Sequence, residues 1–211
     1  MDINNRELKK RIRKIKKKIK KIKWFPSYQS FSELGIKGRR NDNKRYRFLD
    51  FSEFEGKFVV DYGCNIGQTC IKVAKAGAKR VIGFDSQEDS LQVAREIRDV
   101  LFVKNLEFYK VDFNDPDFED MVLRYFHGQT PDISFFLSVY RTKELKDRDG
   151  LFRFILENTK EKVYFEGHSV KTIDTVDYYM NIFKKFGVTG KFLGYSQGET
   201  RPFFVINING N

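Results

Sequence analysis

The sequence predicts an α/β fold: a seven-stranded, mostly parallel, doubly wound sheet with a terminal antiparallel hairpin strand, preceded by a basic N-terminal helix. Three observations predict it. From Phe58 onward, apolar runs of strand length alternate with helical patterns, as in a parallel sheet with helices on both faces. The run Phe58-Val59-Val60-Asp61 ends in an acid and enters a glycine loop, Tyr62-Gly63-Cys64-Asn65-Ile66-Gly67, which opens a helix. A second run, Arg80 to Phe84, ends in Asp85, eighteen residues after Gly67. Strand, glycine loop and acid-ended second strand form the nucleoside-binding half of a doubly wound sheet.

The elements follow in order. Residues 1–25 form a basic helical extension. Leu8, Ile12, Ile15, Ile19 and Ile22 are spaced 4, 3, 4 and 3, a helical stripe with a heptad period. Trp24 and Phe25 follow, and Pro26 ends the pattern. Residues 26–56 are a lead-in with turns at Gly35 and Gly38 and arginines at 39, 40, 45 and 47. Residues 57–211 are the main domain. Strands are predicted at 58–62, 80–84, 106–110, 132–138, 162–167, 189–196 and 202–208. Helices are predicted at 67–77, 87–101, 115–126, 144–158 and 172–186. No helix separates the last two strands; Gln197-Gly198-Glu199-Thr200 joins them as a hairpin turn.

Composition narrows the function classes. A chain of 211 residues with 22 Phe and 10 Tyr is large enough for one buried core. It has no apolar run of transmembrane length and no signal-peptide core, so a cytoplasmic protein is expected. Two cysteines, Cys64 and Cys70, are too few for a disulfide framework. His127 and His168 are the only imidazoles, and no Cys/His cluster has zinc spacing. No structural metal is expected.

Ten of the eleven net positive charges lie in residues 1–23, so the rest of the chain is nearly neutral. That distribution does not suggest a basic groove embracing long nucleic acid. The basic helix has four readings: a helix on an anionic membrane surface, a nucleic-acid arm, a self-associating coiled coil, or an extension that packs its stripe on its own domain.

The glycine loop selects the nucleoside. A dinucleotide site requires G-x-G-x-x-G, but those positions hold Gly63, Asn65 and Gln68. A P-loop requires Lys before Ser or Thr; here Gln68 precedes Thr69. The segment Asp61-Tyr62-Gly63-Cys64-Asn65-Ile66-Gly67 instead resembles motif I of the class I S-adenosylmethionine (SAM)-dependent methyltransferases. That family commonly has glycine where this chain has Asn65. The resemblance spans roughly residues 40 to 208 and continues in order through Asp85, Val111-Asp112-Phe113 and Asp132 to Tyr140.

The resemblance implies SAM as cofactor. Its candidate binding residues are Asp61, Gly63, Cys64, Asn65, Gly67, Asp85, Ser86, Asp112, Phe113 and Ser138. Asp85 would hold the ribose hydroxyls and Asp112 the adenine amino group. The lead-in is expected to fold over the cofactor, with Arg40 or Arg45 meeting its carboxylate.

Ligands of such sheets sit beyond the carboxyl ends of the strands. The candidate catalytic residues are therefore His168, Glu166 and Tyr140. His168 is the best base by type, since imidazole titrates near neutrality, and Glu166 is placed to orient it or to bind substrate. Arg141, Tyr195 and Arg201 are candidate substrate-binding residues. His127, before Gly128 at a helix end, reads as structural.

The expected activity is SAM-dependent O-methylation of a small-molecule or saccharide-like acceptor. An RNA methyltransferase anchored by the basic helix is the alternative. No Asn/Asp-Pro-Pro-Tyr/Phe motif follows the fourth strand, which reads Leu137-Ser138-Val139-Tyr140, so base amino groups are not the expected target. A third reading is a non-catalytic SAM-fold subunit. Oligomeric state is not legible.

Overall fold

The computed structural model describes residues 5–22, 29–38, 43–168, 175–196 and 200–208. Arg40, the Trp24-Phe25-Pro26 segment and the 197–199 turn lie outside them. The seven strands are β1 (Phe58–Tyr62), β2 (Arg80–Asp85), β3 (Leu106–Lys110), β4 (Ile133–Leu137), β5 (Lys162–Glu166), β6 (Gly190–Tyr195) and β7 (Pro202–Asn207). They form one sheet in the order β3-β2-β1-β4-β5-β7-β6. All neighbours are parallel except β7, which runs antiparallel to both β5 and β6. Strand order reverses between β1 and β4, which places the ligand crevice above their carboxyl ends.

Helices α1 (Asn5–Ile19), α2 (Asn43–Tyr46), α3 (Gln68–Lys75), α4 (Glu88–Val100), α5 (Phe118–Phe126), α6 (Arg148–Glu157) and α7 (Val176–Lys185) complete the described elements, with 3-10 turns at Ser32–Leu34 and Phe51–Phe54. Alternate strand residues supply two cores, as period-2 geometry requires. Val59, Val81, Phe135, Tyr164 and Phe203 pack under α1, α3, α4 and the lead-in. Val60, Ile82, Phe136, Phe165 and Phe204 pack under α5, α6 and α7.

The predicted helices begin later than their periodicity suggests. Asp147, not Glu144, starts α6; its carboxylate accepts from the Gly150 amide at 2.8 Å. The Thr175 hydroxyl accepts from the Tyr178 amide at 3.1 Å and starts α7. Side-chain caps of this kind satisfy amides that the first helical turn leaves unpaired. His127 caps α5 in a left-handed conformation, φ 52°, in keeping with its structural reading.

The isoleucine stripe of the N-terminal helix packs on its own domain. Ile15, Ile19 and Ile22 are buried, and Leu8 and Ile12 pack partly against the same core. Contacts run chiefly to α4, and Lys18 bonds Glu96 at that junction. Each buried isoleucine contributes about 1.5–3 kcal/mol. The stripe is therefore not a face held ready for a bilayer interior or for a second helix. No helix among the described residues is long and apolar enough to cross a membrane.

Candidate active site

The glycine loop after β1 holds itself together. The amides of Gly63 and Cys64 both donate to the Phe84 carbonyl, at 2.8 and 2.9 Å. The Asn65 amide donates to Asp85 Oδ2 at 2.8 Å, and the Ile66 amide to Asn65 Oδ1 at 2.8 Å. The Gly67 amide donates to the Cys64 carbonyl at 2.9 Å, and the Gln68 amide to Gln29 Oε1 at 3.2 Å. Every amide from 63 to 68 is thus bonded within the protein. A phosphate-binding nest, which needs several amides aimed at one anion, does not form here.

Asn65 replaces the family glycine without strain relief being needed elsewhere. Its φ is 54°, a left-handed conformation that asparagine tolerates better than other side chains. Gly63 and Gly67 are less replaceable. Their φ values are 86° and 78°. An added Cβ would lie 2.4 Å from Val139 Cγ2 at Gly63 and 2.3 Å from Phe108 Cζ at Gly67. Cys64 is buried beneath the loop, where burial pushes its thiol up to about 11. Its side chain is a filler and not a reactive group.

Carboxylates dominate the cofactor end. Asp85, half-buried after β2, accepts from the Asn65 and Gln87 amides through different oxygens. Burial raises its pKa. The Ser86 amide bonds it as well, and the carboxylate keeps capacity for a further donor. Ser86 beside it accepts from Gln87 Nε2 at 3.3 Å. Asp112 forms a local turn, its Oδ1 accepting from the Asn114 amide and side chain at 3.0 and 2.9 Å. Phe113 is buried against Tyr62.

Asp61 is buried and accepts from Cys70 Sγ at 3.4 Å. Burial raises its pKa to about 7, against the opposing Cys70 bond and the Arg45 charge. A folded-state pKa above the unfolded value means the protonated fold is favoured. Asp61 therefore costs stability progressively as pH climbs from about 4 to beyond 7, by up to about 4 kcal/mol. In the cofactor-free protein, Asp61→Asn is expected to gain stability relative to wild type at pH 8 and little at pH 4. Urea unfolding of both proteins at the two pH values checks this; a pH-independent difference would refute it.

Residues of the lead-in bond to this loop and to the helix that follows it. Gln29 Nε2 donates to the Cys64 carbonyl at 3.4 Å, and the Tyr46 hydroxyl bonds Gln68 and Thr69 at 3.1 Å each. Arg45 lies elsewhere than predicted. It is buried, and its Nε and Nη2 donate to Glu166 Oε1 and Oε2 at 2.9 and 2.5 Å.

Glu166 is likewise reassigned. It is fully buried and also accepts from the hydroxyls of Ser138 and Ser196. Burial alone would raise its pKa, but the Arg45 charge and these bonds hold it at about 2. A carboxylate so held is no base. Strand β5 ends at Glu166, so Glu166 and His168 part: the acid turns inward and the imidazole reaches the Ser138 carbonyl, Nε2 to O 2.6 Å. Ser138 has φ 59°, and its hydroxyl also accepts from Arg201 Nη1 at 2.5 Å. Arg201 lies 3.8 Å from Glu166. The structure thus brings together Ser138, Glu166, His168 and Arg201 from three strand ends.

Tyr140 does not belong to that group. Its ring is buried among Phe136, Phe152, Phe165 and Tyr179, and its hydroxyl donates to Asp149 at 2.5 Å. It is a core residue. Arg141 packs over the Tyr178 ring at 5.3 Å and donates to its hydroxyl at 3.2 Å. Tyr195, half-buried, stacks edgewise on Phe192, and its carbonyl accepts from Arg47. Gln29, Tyr46 and Ser196 carried no motif in the sequence; only the tertiary fold reveals them.

The arrangement suits a ligand that is cationic and rich in hydroxyls but lacks phosphate. Asp61, Asp85 and Asp112 would repel a pyrophosphate, and the loop amides are already engaged. S-adenosylmethionine, with its sulfonium, ammonium and ribose, fits that donor set.

Comparisons with known proteins agree. A family model described as a methyltransferase domain matches residues 53–185. A ribosomal protein L11 methyltransferase from Alteromonas mediterranea is 42% identical over 50 residues, 24% of this chain and 17% of that protein. The chain spans about a third or less of the length of the curated relatives it matches. Among solved structures, WbdD superposes with TM-score 0.71 at 16% identity, covering 92% of this chain and 47% of that one. The N-terminal domain of EvdMO1, determined in the presence of SAH and D-fucose, gives TM-score 0.58 at 16% identity, covering 96% and 81%. The self-bonded glycine loop, the strand order and the matched domain together place this chain in the class I SAM-dependent methyltransferase family.

Proposed function

We propose that the protein transfers the methyl group of SAM to a hydroxyl oxygen of a small-molecule or saccharide-like acceptor, with His168 as general base. The observation that carries this reading is the bond from His168 to the Ser138 carbonyl. A carbonyl only accepts, so Nε2 bears the proton and the lone pair lies on Nδ1. That tautomer is the one a base requires. Bound SAM supplies a methyl carbon on a sulfonium, already an excellent leaving group.

Positioning then accounts for most of the remaining barrier. Asp85 would hold the ribose through its remaining acceptor capacity, and Asp112 the adenine amino group through Oδ2. Asp61 would face the cationic methionine portion. His168 Nδ1 would take the proton of the acceptor hydroxyl as that oxygen is methylated. Arg141 and Tyr195 would line the acceptor side. Ser138 and Arg201 would fix the His168 platform. A fold neighbour determined with D-fucose supports a sugar-like acceptor.

Two measurements test the reading separately. Titration calorimetry should detect SAM binding, and Asp85→Ala should weaken it about 100-fold, the scale of two charge-assisted hydrogen bonds. Unchanged affinity would overturn the cofactor geometry. A labelled-methyl screen over saccharide, lipid and RNA extracts should place the label on oxygen of a saccharide or small molecule. Label on RNA alone would overturn the acceptor assignment while leaving the cofactor site intact.

A further inference from the structure

The outer face of α1 has no part in the proposed methyl transfer, yet it belongs to the segment that holds ten of the chain's eleven net positive charges. Its apolar stripe is fixed on α4 through Ile15 and Ile19. At 3.6 residues per turn, Lys10, Arg13, Lys14 and Lys17 fall on the side opposite that stripe, and Lys21 follows in the turn after the helix; all are exposed. Glu7 is the only acid of the helix. The result is a cationic ridge that runs about 10 Å along the helix from Lys10 to Lys17, borne by a chain that is otherwise nearly neutral.

We propose that this ridge docks the protein on an anionic lipid bilayer by charge alone, without inserting the helix. Three observations favour a bilayer over a nucleic acid. The ridge is dominated by lysine, a compact point charge suited to a diffuse field of headgroups, whereas nucleic-acid sites favour the planar fork of arginine. The charges spread over the whole solvent face of a straight helix, which suits a flat partner. The rest of the chain is nearly neutral in net charge, so no comparable excess of positive charge remains to hold an extended polyanion. Because the isoleucines are already buried, the mode differs from an amphipathic helix sunk at the acyl boundary. Adsorption should be reversible, lipid-charge dependent and steeply salt dependent. Such a position would hold the enzyme beside acceptors carried on lipid, but the docking itself does not depend on the acceptor's identity.

The test is flotation of the full chain with vesicles of phosphatidylcholine alone or with 30 mol% phosphatidylglycerol, at about 0.1 M and 0.5 M NaCl. Binding is expected only with the anionic lipid and only at the lower salt. A variant with Lys10, Lys14, Lys17 and Lys21 changed to Gln should lose about 100-fold or more in partitioning. It should keep wild-type SAM affinity and urea stability, because the stripe is untouched. A Lys→Arg variant at the same positions should still bind. Absence of vesicle binding at the lower salt, or equal binding by the Gln variant, would overturn the proposal. So would binding to transfer RNA with none to vesicles, which would make the ridge a nucleic-acid arm. Retention on vesicles at 0.5 M NaCl would overturn the non-inserting mode.

Discussion

Changing Glu166 to alanine is expected to destabilise the protein by about 3–5 kcal/mol, the range seen when one partner of a buried ion pair is removed. The Arg45 guanidinium would be left buried without its carboxylate, and Ser138 and Ser196 would lose their acceptor. The lead-in, which Arg45 ties to β5, should loosen first. Urea unfolding at pH 7 measures the loss. A double variant, Arg45→Met with Glu166→Leu, should recover much of it, because apolar replacement of both partners removes the stranded charge. A loss below about 1 kcal/mol in Glu166→Ala would show that the cluster does not form as described. The pH dependence carries its own sign. A folded pKa of about 2 lies below the unfolded value, so this stabilisation is complete above about pH 4.5 and disappears as pH falls toward 2. Asp61 acts in the opposite sense and mainly at higher pH, so the two effects separate.

Changing His168 to alanine is expected to lower kcat by about 10²- to 10⁴-fold, the contribution of a positioned general base. SAM affinity should not change, since in the proposed mechanism the imidazole serves the acceptor and not the cofactor. The pH–rate profile should also lose its acidic limb, which in wild type reports protonation of the base. Single-turnover rates with the labelled donor, across pH 5–9, measure both. An unchanged profile with a uniformly reduced rate would make His168 a structural support for Ser138. An unchanged rate would remove it from the mechanism.

The strand ends that carry the candidate cofactor residues were legible in sequence because their signals are local. Asp61, the 63–67 loop, Asp85 and Asp112 each sit at a strand end, and a strand end can be read from a run of apolar residues. The Asn65 departure was legible too, once φ 54° is seen to suit asparagine. The acceptor half was less legible. Glu166 and His168 are two residues apart, and whether they share a face depends on where β5 stops. Tyr140 follows a strand as an active-site residue would, but Phe136, Phe152 and Phe165 close around it. Arg45 finds Glu166 across 121 positions of sequence, a separation at which no pattern in the chain speaks. The basic helix shows the same limit: its periodicity revealed a stripe, and only α4 reveals what the stripe covers.

The self-bonded loop has a consequence for turnover. A binding wall complete in its own hydrogen bonds has nothing to rearrange when the guest arrives, and nothing to relax when the guest changes. The demethylated thioether differs from the incoming sulfonium by one methyl and one charge, so a stiff wall that grips ribose and base as proposed would hold both. Spent cofactor should therefore compete from the first cycles. Assays that destroy it enzymatically as it forms should show sustained linear progress where uncoupled ones bend early.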